Sequence, residues 1–503
     1  MKKRWKIVAV LAAVLCIGCF AFLPARAEGE IVAEGTCGDN LTWTLDDMGL
    51  LTISGTGKMK NYYYRAPWDA NRRSIKTVVI GDGVANIGDH AFYDCSNLNS
   101  ITIPDSVTGI GNYAFYDCSG LTTITIPNST NSIDYCAFSG CSSLISVTIP
   151  DGVTSIESDT FGRCSSLTSV TIPEGVTNIS QSAFWYCDNL AGIWVDADNL
   201  YFSNDERGVL FDKEKTKVLR APGAISGSYI IPEGVVSIEG YAFYKCRDLV
   251  SVTISDGVTR IDLNAFNGCG NLTSVIIPDS VTVIDDYAFM SCDSLISVNI
   301  PNSVSTLGDY AFCGCSSLTD VVISNSIKNI GWYTFSECSS LNSVTIPDSV
   351  TNIGSYAFAD CSGLTNITIP SGITYVGYAA FVGCDSMWHV LYKGTELQWN
   401  DVSVWEGNYD ITSTMRHYNC TGDEIMDGVC TICDPPYTDG DVDGNNVVDT
   451  DDAIYLLYYT LFGEDSYPIN QACDFDGNGV VDTDDAIYLL YHTLFGEEIY
   501  PLN

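Results

Sequence analysis

A cysteine recurs every 23 residues over most of this 503-residue chain, and this period limits the possible folds more than any other feature. Two series of Phe-x-x-Cys motifs keep the period, separated by one unit of 59 residues. Strict self-similarity at such a period predicts a solenoid, because each unit can bury its apolar face only against its neighbours. The cysteines that end these motifs are Cys95, Cys118, Cys141, Cys164, Cys187, Cys246, Cys269, Cys292, Cys315, Cys338, Cys361 and Cys384.

One unit, SSLNSVTIPDSVTNIGSYAFADC at 339–361, shows how the repeat is built. Apolar and polar residues alternate at 343–346, which predicts a β-strand. Pro347 ends that strand because proline cannot donate a hydrogen bond to a ladder. The Ala-Phe segment that follows is predicted to form a short helical turn on the opposite side. The fold class expected is therefore a β/α-turn solenoid.

The repeat cysteines are expected to form a buried column of free thiols. A buried thiol acts as a small hydrophobe with a weak donor. A regular ladder of disulfides is disfavoured because side chains leave stacked units in parallel directions. A metal site in the column is disfavoured too, since the column offers no histidine or carboxylate. The redox state of the column stays open.

The first 27 residues have the features of an export signal. Basic residues precede an uncharged run at 7–23, and Ala25-Arg26-Ala27 provides a cleavage site. This predicts a secretory signal peptide cleaved after Ala27, with a lipoprotein signal at Cys19 as the alternative. Losing five basic and no acidic residues changes the formal net charge from −39 to −44. We therefore expect a secreted protein without membrane insertion, and the charge argues against nucleic acid or anionic lipid as a partner.

The segments DVDGNNVVDTDD at 441–452 and DFDGNGVVDTDD at 474–485 are nearly identical and lie 33 residues apart. Oxygen-bearing side chains at positions 1, 3, 5, 9 and 12, with a backbone carbonyl at position 7, are typical of a calcium loop. Two bound calcium ions are therefore predicted, and a solvated acidic tail is the alternative. The predicted ligands are Asp441, Asp443, Asn445, Val447, Asp449, Asp452, Asp474, Asp476, Asn478, Val480, Asp482 and Asp485.

Each acidic loop is followed by an apolar pattern that predicts an amphipathic helix. Apolar residues at i, i+3, i+4 and i+7 define the predicted face, and Gly463 and Gly496 end the two helices. We expect the two helices to pack antiparallel. The face residues are Ile454, Leu457, Tyr458 and Leu461 in the first helix, and Ile487, Leu490, Tyr491 and Leu494 in the second.

Two surfaces of the predicted solenoid are candidates for ligand binding. A strip of four tyrosines precedes the repeat phenylalanines, and aromatic faces with polar rims suit sugar rings or a protein surface, whereas outer-face packing is the alternative. The second surface is the row of outward-facing positions on the predicted strands, which is mostly threonine and offers no paired carboxylates. The four histidines are too scattered for a triad, so no catalytic residue is predicted. The strip consists of Tyr287, Tyr310, Tyr333 and Tyr356; the histidines are His90, His389, His417 and His492.

Two further segments depart from the repeat. The sequence VLFDKEKTKVLRAP at 209–222 predicts a β-hairpin, whose basic residues either contact an anionic partner or are simply solvated. Farther on, a Cys-x-x-Cys pair has the spacing of zinc ligands, and one more cysteine and a histidine lie nearby in the sequence. A disulfide or reduced thiols are the alternatives. The possible zinc ligands are His417, Cys420, Cys430 and Cys433.

The repeat motifs SVTIPDGVTSI and AFxxC resemble the BspA-like leucine-rich repeats of bacterial surface proteins. Residues 35–59 resemble the N-terminal β cap of that family, and residues 390–408 resemble its closing segment. The domain boundaries expected are a signal peptide at 1–27, a β cap with the first strands at 28–83, repeats at 84–387 with a long irregular unit at about 188–240, a C-terminal cap at 388–419, a cysteine-containing linker at 420–438, and a calcium-loop domain at 439–503.

The calcium-loop domain, a small all-α unit, resembles a type I dockerin, which plugs secreted bacterial proteins into cohesin modules of a scaffold. The resemblance rests on both loops and on VVDTDDAIYLLY, which occurs twice. It implies that the residues at loop positions 10 and 11 recognise the cohesin. These residues are Thr450 and Asp451 in one copy and Thr483 and Asp484 in the other. Because Thr and Asp occupy these positions in both copies, the resemblance implies a docking surface with near-twofold symmetry. The domain has 15 acidic residues and no Lys or Arg, so calcium is expected to drive its folding.

These features together favour a secreted, non-catalytic binding protein. The solenoid would bind a protein or glycan, and the dockerin would attach it to a cohesin scaffold. By resemblance, the setting is a cellulosome-like complex for polysaccharide degradation. A host-binding adhesin tethered by the dockerin is the second hypothesis, and a polysaccharide-active enzyme component is the third.

Overall fold

In the computed structural model, the described residues are 29–63, 65–387, 389–409, 411, 415–418, 425–426, 429–430, 442, 450–462 and 483–495. They belong to two compact units, Met1–Cys164 and Ser165–Asn503. Within these described ranges, no helix is both long and apolar enough to cross a membrane.

The first unit begins with antiparallel strands and continues with parallel ones. Strands β1, β2 and β3 pair antiparallel, and β3 then pairs parallel with β5 and β5 with β7. A 3-10 helix spans Asp69–Asn71. The strands are β1 (Ile31–Thr36), β2 (Leu41–Asp46), β3 (Leu50–Gly55), β4 (Gly57–Lys58), β5 (Thr77–Ile80), β6 (Val84–Asn86), β7 (Ser100–Thr102), β8 (Gly109–Ile110), β9 (Thr123–Ile124), β10 (Ser132–Ile133), β11 (Ser146–Val147) and β12 (Ser155–Ile156).

The second unit contains the remaining repeats, a hairpin and a pair of helices. Its first strands are β13 (Ser169–Ile172), β14 (Asn178–Ile179), β15 (Gly192–Val195), β16 (Phe202–Asn204), β17 (Leu210–Asp212), β18 (Lys217–Arg220), β19 (Gly227–Ile230), β20 (Ser237–Ile238), β21 (Leu249–Thr253), β22 (Arg260–Ile261), β23 (Ser274–Ile276), β24 (Val283–Ile284), β25 (Ser297–Asn299), β26 (Thr306–Leu307) and β27 (Asp320–Val322). The later elements are β28 (Asn329–Ile330), β29 (Ser343–Thr345), β30 (Asn352–Ile353), β31 (Asn366–Ile369), β32 (Tyr375–Val376), β33 (His389–Tyr392), α1 (Glu396–Asn400), β34 (Ser403–Val404), β35 (Met415–Tyr418), β36 (Ile425–Met426), β37 (Val429–Cys430), α2 (Thr450–Phe462) and α3 (Thr483–Phe495).

Each regular repeat contributes strands to two parallel sheets. The predicted strand of the unit at 339–361 is confirmed as β29, which pairs parallel with β31 exactly one repeat later in the chain. A second, two-residue strand that the sequence did not indicate, β30, pairs with β32 in the same way. Between the two strands, the N–H of Val350 donates to the carbonyl of Pro347 at 3.0 Å and closes a turn.

The third side of each repeat is not helical, so the predicted helical turn is wrong. The N–H of Ala357 donates within the unit to the carbonyl of Gly354, whereas that of Phe335 donates to Ala357 of the next unit at 2.8 Å. Residues in the left-handed region separate these bonds, among them Tyr356 at φ 58° and Asp360 at φ 57°. Such values are unusual for residues other than glycine, and here the ladder between units holds them.

Phenylalanine rings fill the core of both units as stacked columns. In the first unit, the rings of Phe92, Phe115 and Phe138 follow one another at centroid distances of 5.2 Å. In the second unit, the column runs from Phe243 to Phe381 with spacings from 4.9 to 5.6 Å. These side chains are fully buried. One ring per unit, at nearly the spacing of parallel strands, gives each solenoid segment a continuous aromatic core.

The repeat cysteines form a buried column beside the phenylalanines. The Sγ of Cys118 donates to the carbonyl of Phe92 at 3.1 Å, and Cys361 bonds the carbonyl of Phe335 at the same distance. None of the cysteines that the structure describes is in a disulfide. Besides packing, these thiols supply a second donor to phenylalanine carbonyls 26 residues earlier, which already accept the N–H of the cysteine in their own unit, as Phe92 does from Cys95.

The long unit contains the predicted hairpin and ends the column in a different way. Strands β17 and β18 pair antiparallel, which confirms the hairpin. In regular units the carbonyl of a repeat phenylalanine accepts from the thiol 26 residues later, whereas the residue 26 positions after Phe184 is Leu210. Instead, the buried guanidinium of Arg220 donates to the carbonyls of Phe184 at 3.4 Å and Tyr241 at 2.7 Å. Arg220 thus takes the place of the missing thiol donor, and burial lowers its pKa.

Helices α2 and α3 pack through a face other than the predicted one. Ala453 and Leu456 of α2 are buried with Ala486 and Leu489 of α3. The predicted face is largely outside this contact; its exposed members are Ile454, Tyr458, Leu461, Ile487 and Leu494, while Leu457 and Leu490 are half-buried. The prediction failed because both stripes are apolar and the periodicity does not choose between them.

We expect the column cysteines to resist alkylation in the folded protein. Burial raises the pKa of Cys246 to about 12, so at pH 8 it remains a protonated thiol, and the thiolate is the nucleophile. Mass spectrometry after iodoacetamide treatment should show these cysteines unmodified in buffer and modified in guanidinium chloride. Rapid alkylation in buffer would contradict the buried column, and failure to react when unfolded without reductant would indicate disulfides.

We expect Arg220→Met to destabilise the second unit. The substitution removes two hydrogen bonds from a charged donor, at a cost of about 1.5–3 kcal/mol each, and the carbonyls of Phe184 and Tyr241 keep only the N–H of Cys187 and of Tyr244. The midpoint of urea unfolding should fall, as followed by circular dichroism. Lys217→Met on the same hairpin is the matched control, because Lys217 is largely exposed. Equal midpoints for the two variants would show that the guanidinium is not needed.

Candidate binding surfaces

The four predicted tyrosines form one stack along the turn side of the second unit. Consecutive rings from Tyr287 to Tyr356 are separated by 4.7, 4.6 and 4.6 Å and are tilted by no more than 12°. Tyr378 ends the stack by meeting Tyr356 edge-on at 5.5 Å. Each ring inside the stack covers its neighbour's face, so the stack presents ring edges and hydroxyls to a ligand. Their role in binding stays a prediction.

Carboxylates hold the backbone beside this stack. The Oδ1 of Asp286 accepts from the N–H of Asp309 at 2.7 Å, and the Oδ1 of Asp309 accepts from the N–H of Trp332 at 2.7 Å. These bonds run from one unit to the next, so the acidic side chains join neighbouring repeats. Desolvation by burial, with the neighbouring tyrosines, raises the pKa of Tyr310, so its hydroxyl stays protonated at neutral pH.

The exposed strand row differs from the expectation at its C-terminal end. The row predicted from the outward-facing strand positions includes Ile276, Asn299, Val322 and Thr368. The first three are exposed, whereas Thr368 is buried, and its partner Leu391 in β33 is buried as well. A depression of about 660 Å³ follows this row and includes Asn299, Asp320 and Thr345 among its lining residues. This sheet face offers amides, hydroxyls and two carboxylates, those of Asp279 and Asp320, to a ligand.

The basic residues of the hairpin are engaged within the chain. Arg207 donates to the carbonyls of Ser226 and Ser228, and Lys213 donates to the carbonyl of Asn199. The other three basic residues are engaged as well. Lys215 lies over the ring of Phe211, Lys217 pairs with Glu239, and Arg220 is buried. These contacts favour an internal structural role over an anionic partner.

Most of the predicted metal ligands lie outside the described residues. This holds for Cys420 and Cys433 of the possible zinc site, and only the backbone of His417 and Cys430 is described, in β35 and β37. Within the described ranges, no three His, Cys, Asp or Glu side chains are grouped closely enough to hold a metal ion. The loop ligands outside the described residues are Asp441, Asp443, Asn445, Val447, Asp449, Asp474, Asp476, Asn478, Val480 and Asp482.

The last predicted ligand of each calcium loop is described. Asp452 and Asp485 occupy the same position in the first turn of α2 and α3, and both are fully buried. The Oδ1 of Asp452 accepts from the N–H of Val442 at 2.6 Å, which ties the start of the first loop to its end. Thr450 and Thr483 are exposed at the helix N-termini, whereas the side chains of Asp451 and Asp484 are outside the described set.

An exposed apolar stripe runs along each of these helices, and the sequence analysis did not expect it there. Ile454 and Leu461 of α2 and their equivalents Ile487 and Leu494 of α3 all lie outside the buried helix contact. Leu461 is 59% exposed and Leu494 is 58% exposed. The alanines Ala453 and Ala486 were the available signal, since small residues let two helices approach closely.

Comparisons with known proteins identify the repeats. Residues 70–191, 226–341 and 282–401, together more than half of the chain, match the BspA type leucine rich repeat region. None of the curated proteins compared with the chain is significantly similar to it.

Solved structures share the fold. A leucine-rich repeat protein from Eubacterium ventriosum is 30% identical, with a TM-score of 0.63 over 70% of this chain and 95% of its own. The pneumococcal vaccine antigen PcpA is 18% identical, with a TM-score of 0.50 over 75% of this chain and 98% of its own. A leucine-rich repeat protein from Bacteroides ovatus is 25% identical, with a TM-score of 0.44 over 76% of this chain and 98% of its own. The match of the repeat region over more than half of the chain shows that this chain belongs to the BspA type leucine-rich repeat family.

Proposed function

We propose that this chain is an exported, non-catalytic binding protein of the bacterial surface, whose C-terminal residues 439–503 form a calcium-dependent dockerin. In this proposal the repeats present the ligand surface and the dockerin attaches it to a cohesin module of a scaffold. The observation that carries the proposal is the pair of buried carboxylates, Asp452 and Asp485, at equivalent positions of two helices in contact.

The donor set fits calcium. Two carboxylates that are fully buried at the ends of acidic loops need a countercharge, and neither loop contains Lys or Arg. Hard oxygen donors at positions 1, 3, 5, 7, 9 and 12 suit this cation. Calcium would supply the positive charge that lets the loops close. Asp441, Asp443, Asn445, Val447, Asp449 and Asp452 would hold one ion, and Asp474, Asp476, Asn478, Val480, Asp482 and Asp485 the other.

The doubled apolar stripe supports docking. Ile454 and Leu461 in α2 and Ile487 and Leu494 in α3 remain exposed after the helices have packed together. Thr450 and Thr483 are exposed at the start of the two helices, at equivalent positions of the two copies. A cohesin could therefore meet either copy, in two orientations related by a half turn. Thr450 and Asp451, with Thr483 and Asp484, would select the partner.

The solenoid would then serve as the displayed module. Its tyrosine stack and its polar sheet depression offer edges, hydroxyls and amides along many units. A long surface built from similar units suits an elongated ligand, either a protein or a glycan chain. By the dockerin resemblance, the setting is a multienzyme complex that degrades polysaccharides.

We expect the chelator-treated mature protein to bind two equivalents of calcium and to gain helix. Metal ligation and folding are coupled when the site does not exist in the unfolded chain. Calorimetric titration gives the stoichiometry, and far-ultraviolet circular dichroism before and after titration gives the helix content.

Variants assign this binding to the loops. Asp452→Asn and Asp485→Asn should each remove about one equivalent, and the double variant both. Asp401→Asn, an exposed carboxylate in the repeat-containing part of the chain, is the matched control and should keep two equivalents. Two equivalents in the double variant, or none in the unchanged protein, would overturn the calcium-loop assignment.

We expect calcium-dependent binding to at least one member of a panel of cohesin modules. On a biosensor, binding should disappear in chelator and return with calcium. Reversing charge at Asp451 alone, or at Asp484 alone, should leave binding almost unchanged because the other copy can dock. Reversing both should weaken it roughly a hundredfold. Calcium binding with no cohesin bound would remove the docking role and leave the metal sites.

A further inference from the structure

A second aromatic site lies where the long unit interrupts the repeat. Trp185 and Tyr186 precede the insertion, and Tyr241 and Tyr244 follow it. The rings of Trp185 and Tyr241 have centroids 4.8 Å apart, and those of Trp185 and Tyr244 are 5.7 Å apart. The hydroxyls of Tyr186 and Tyr244 lie within 3.2 Å of each other. Residues more than fifty positions apart in sequence therefore form one cluster, which we call the Trp185 cluster.

The rings of this cluster are arranged differently from the tyrosine stack. Trp185 is tilted by 49° to Tyr241 and by 35° to Tyr244, and Tyr186 meets Tyr244 at 89°. In the stack the tilt never exceeds 12°, so neighbours cover the faces. Tilted rings cannot cover one another completely. The Trp185 cluster is thus the better place for a ligand that needs an aromatic face.

A cation and an unsatisfied donor belong to the same cluster. The ammonium of Lys245 lies 4.4 Å from the ring centre of Tyr186 and 5.5 Å from that of Tyr244. The Nε1–H of Trp185 is buried and has no acceptor among the described residues. A buried donor without an acceptor is costly, so this part of the cluster departs from the usual pairing of buried polar groups.

Polar groups continue the cluster into a neighbouring depression. This depression, of about 970 Å³, is lined by Tyr244 and Lys245 on the side of the cluster, and by Asn267, Asn271 and Asp293 beyond it. Its volume is that of a site for a ligand of several rings. Amides, two carboxylates, an ammonium and a guanidinium lie around the ring of Tyr244 and provide both donors and acceptors.

We propose that the Trp185 cluster and this depression bind a pyranose oligosaccharide. The C–H face of a sugar ring packs on a tilted aromatic ring, and its hydroxyls bond the amides, the carboxylates and Lys245. This inference does not depend on calcium binding or docking.

Calorimetry on the full mature protein tests the proposal. The probes are hexamers of β-1,4-glucan, β-1,4-xylan, β-1,4-mannan and α-1,4-galacturonan. At least one is expected to bind, and Trp185→Ala should weaken that binding roughly tenfold or more. Lys245→Ala, which changes only a half-buried side chain at the surface, should also weaken it and serves if Trp185→Ala does not fold.

Tyr356→Ala is the matched control because it removes one ring from the separate tyrosine stack. Circular dichroism should show the same fold in all variants that are compared. Binding lost in Tyr356→Ala but kept in Lys245→Ala and Trp185→Ala would move the site to the stack and overturn the proposal. Absence of binding to all four hexamers at millimolar concentration would overturn it as well. Neither result affects calcium uptake, so failure here is distinct from failure of the proposed docking.

Discussion

The structure depends on hydrogen bonds between backbones one repeat apart, which fix the distance between stacked units at about the spacing of parallel strands. At that distance every side chain in a column faces a copy of its own position. Phenylalanine and tyrosine satisfy this condition by stacking, and threonine does so by bonding the previous unit, as Thr282 does to the carbonyl of Thr259. Cysteine satisfies it by fitting a narrow space and donating to a phenylalanine carbonyl. The residues at the repeated positions are therefore those whose side chains can lie next to a copy of themselves in the neighbouring unit.

The period of the sequence was sufficient to predict the solenoid, the first strand of each unit and the burial of the thiols. It was not sufficient for features that depend on the backbone, such as the second strand at Asn352–Ile353 or the left-handed Tyr356 and Asp360. Residue propensities favour a helical turn at these positions, and the hydrogen bonds between neighbouring units override that preference. Likewise, α2 is apolar on several sides, so its buried face was decided by contact with α3 and not by pattern.

The same limit applies to the candidate sites. A strip of tyrosines at constant spacing is visible in the sequence, whereas the Trp185 cluster joins residues on both sides of an insertion and has no period. The predicted calcium loops are the opposite case, because their proposed ligands are local in sequence and their spacing alone indicates the chemistry.

The substitution of Arg220 for a thiol has a consequence for how such arrays change during evolution. An insertion between two units removes the thiol donor from one carbonyl of the interrupted column. The inserted segment of this chain supplies another donor, on a side chain long enough to reach both Phe184 and Tyr241. A duplicated repeat keeps the same interactions at both edges, whereas an inserted segment interrupts them and is better tolerated when it carries a replacement donor. Repeat arrays that are designed to carry inserted functional loops need such a replacement donor as well.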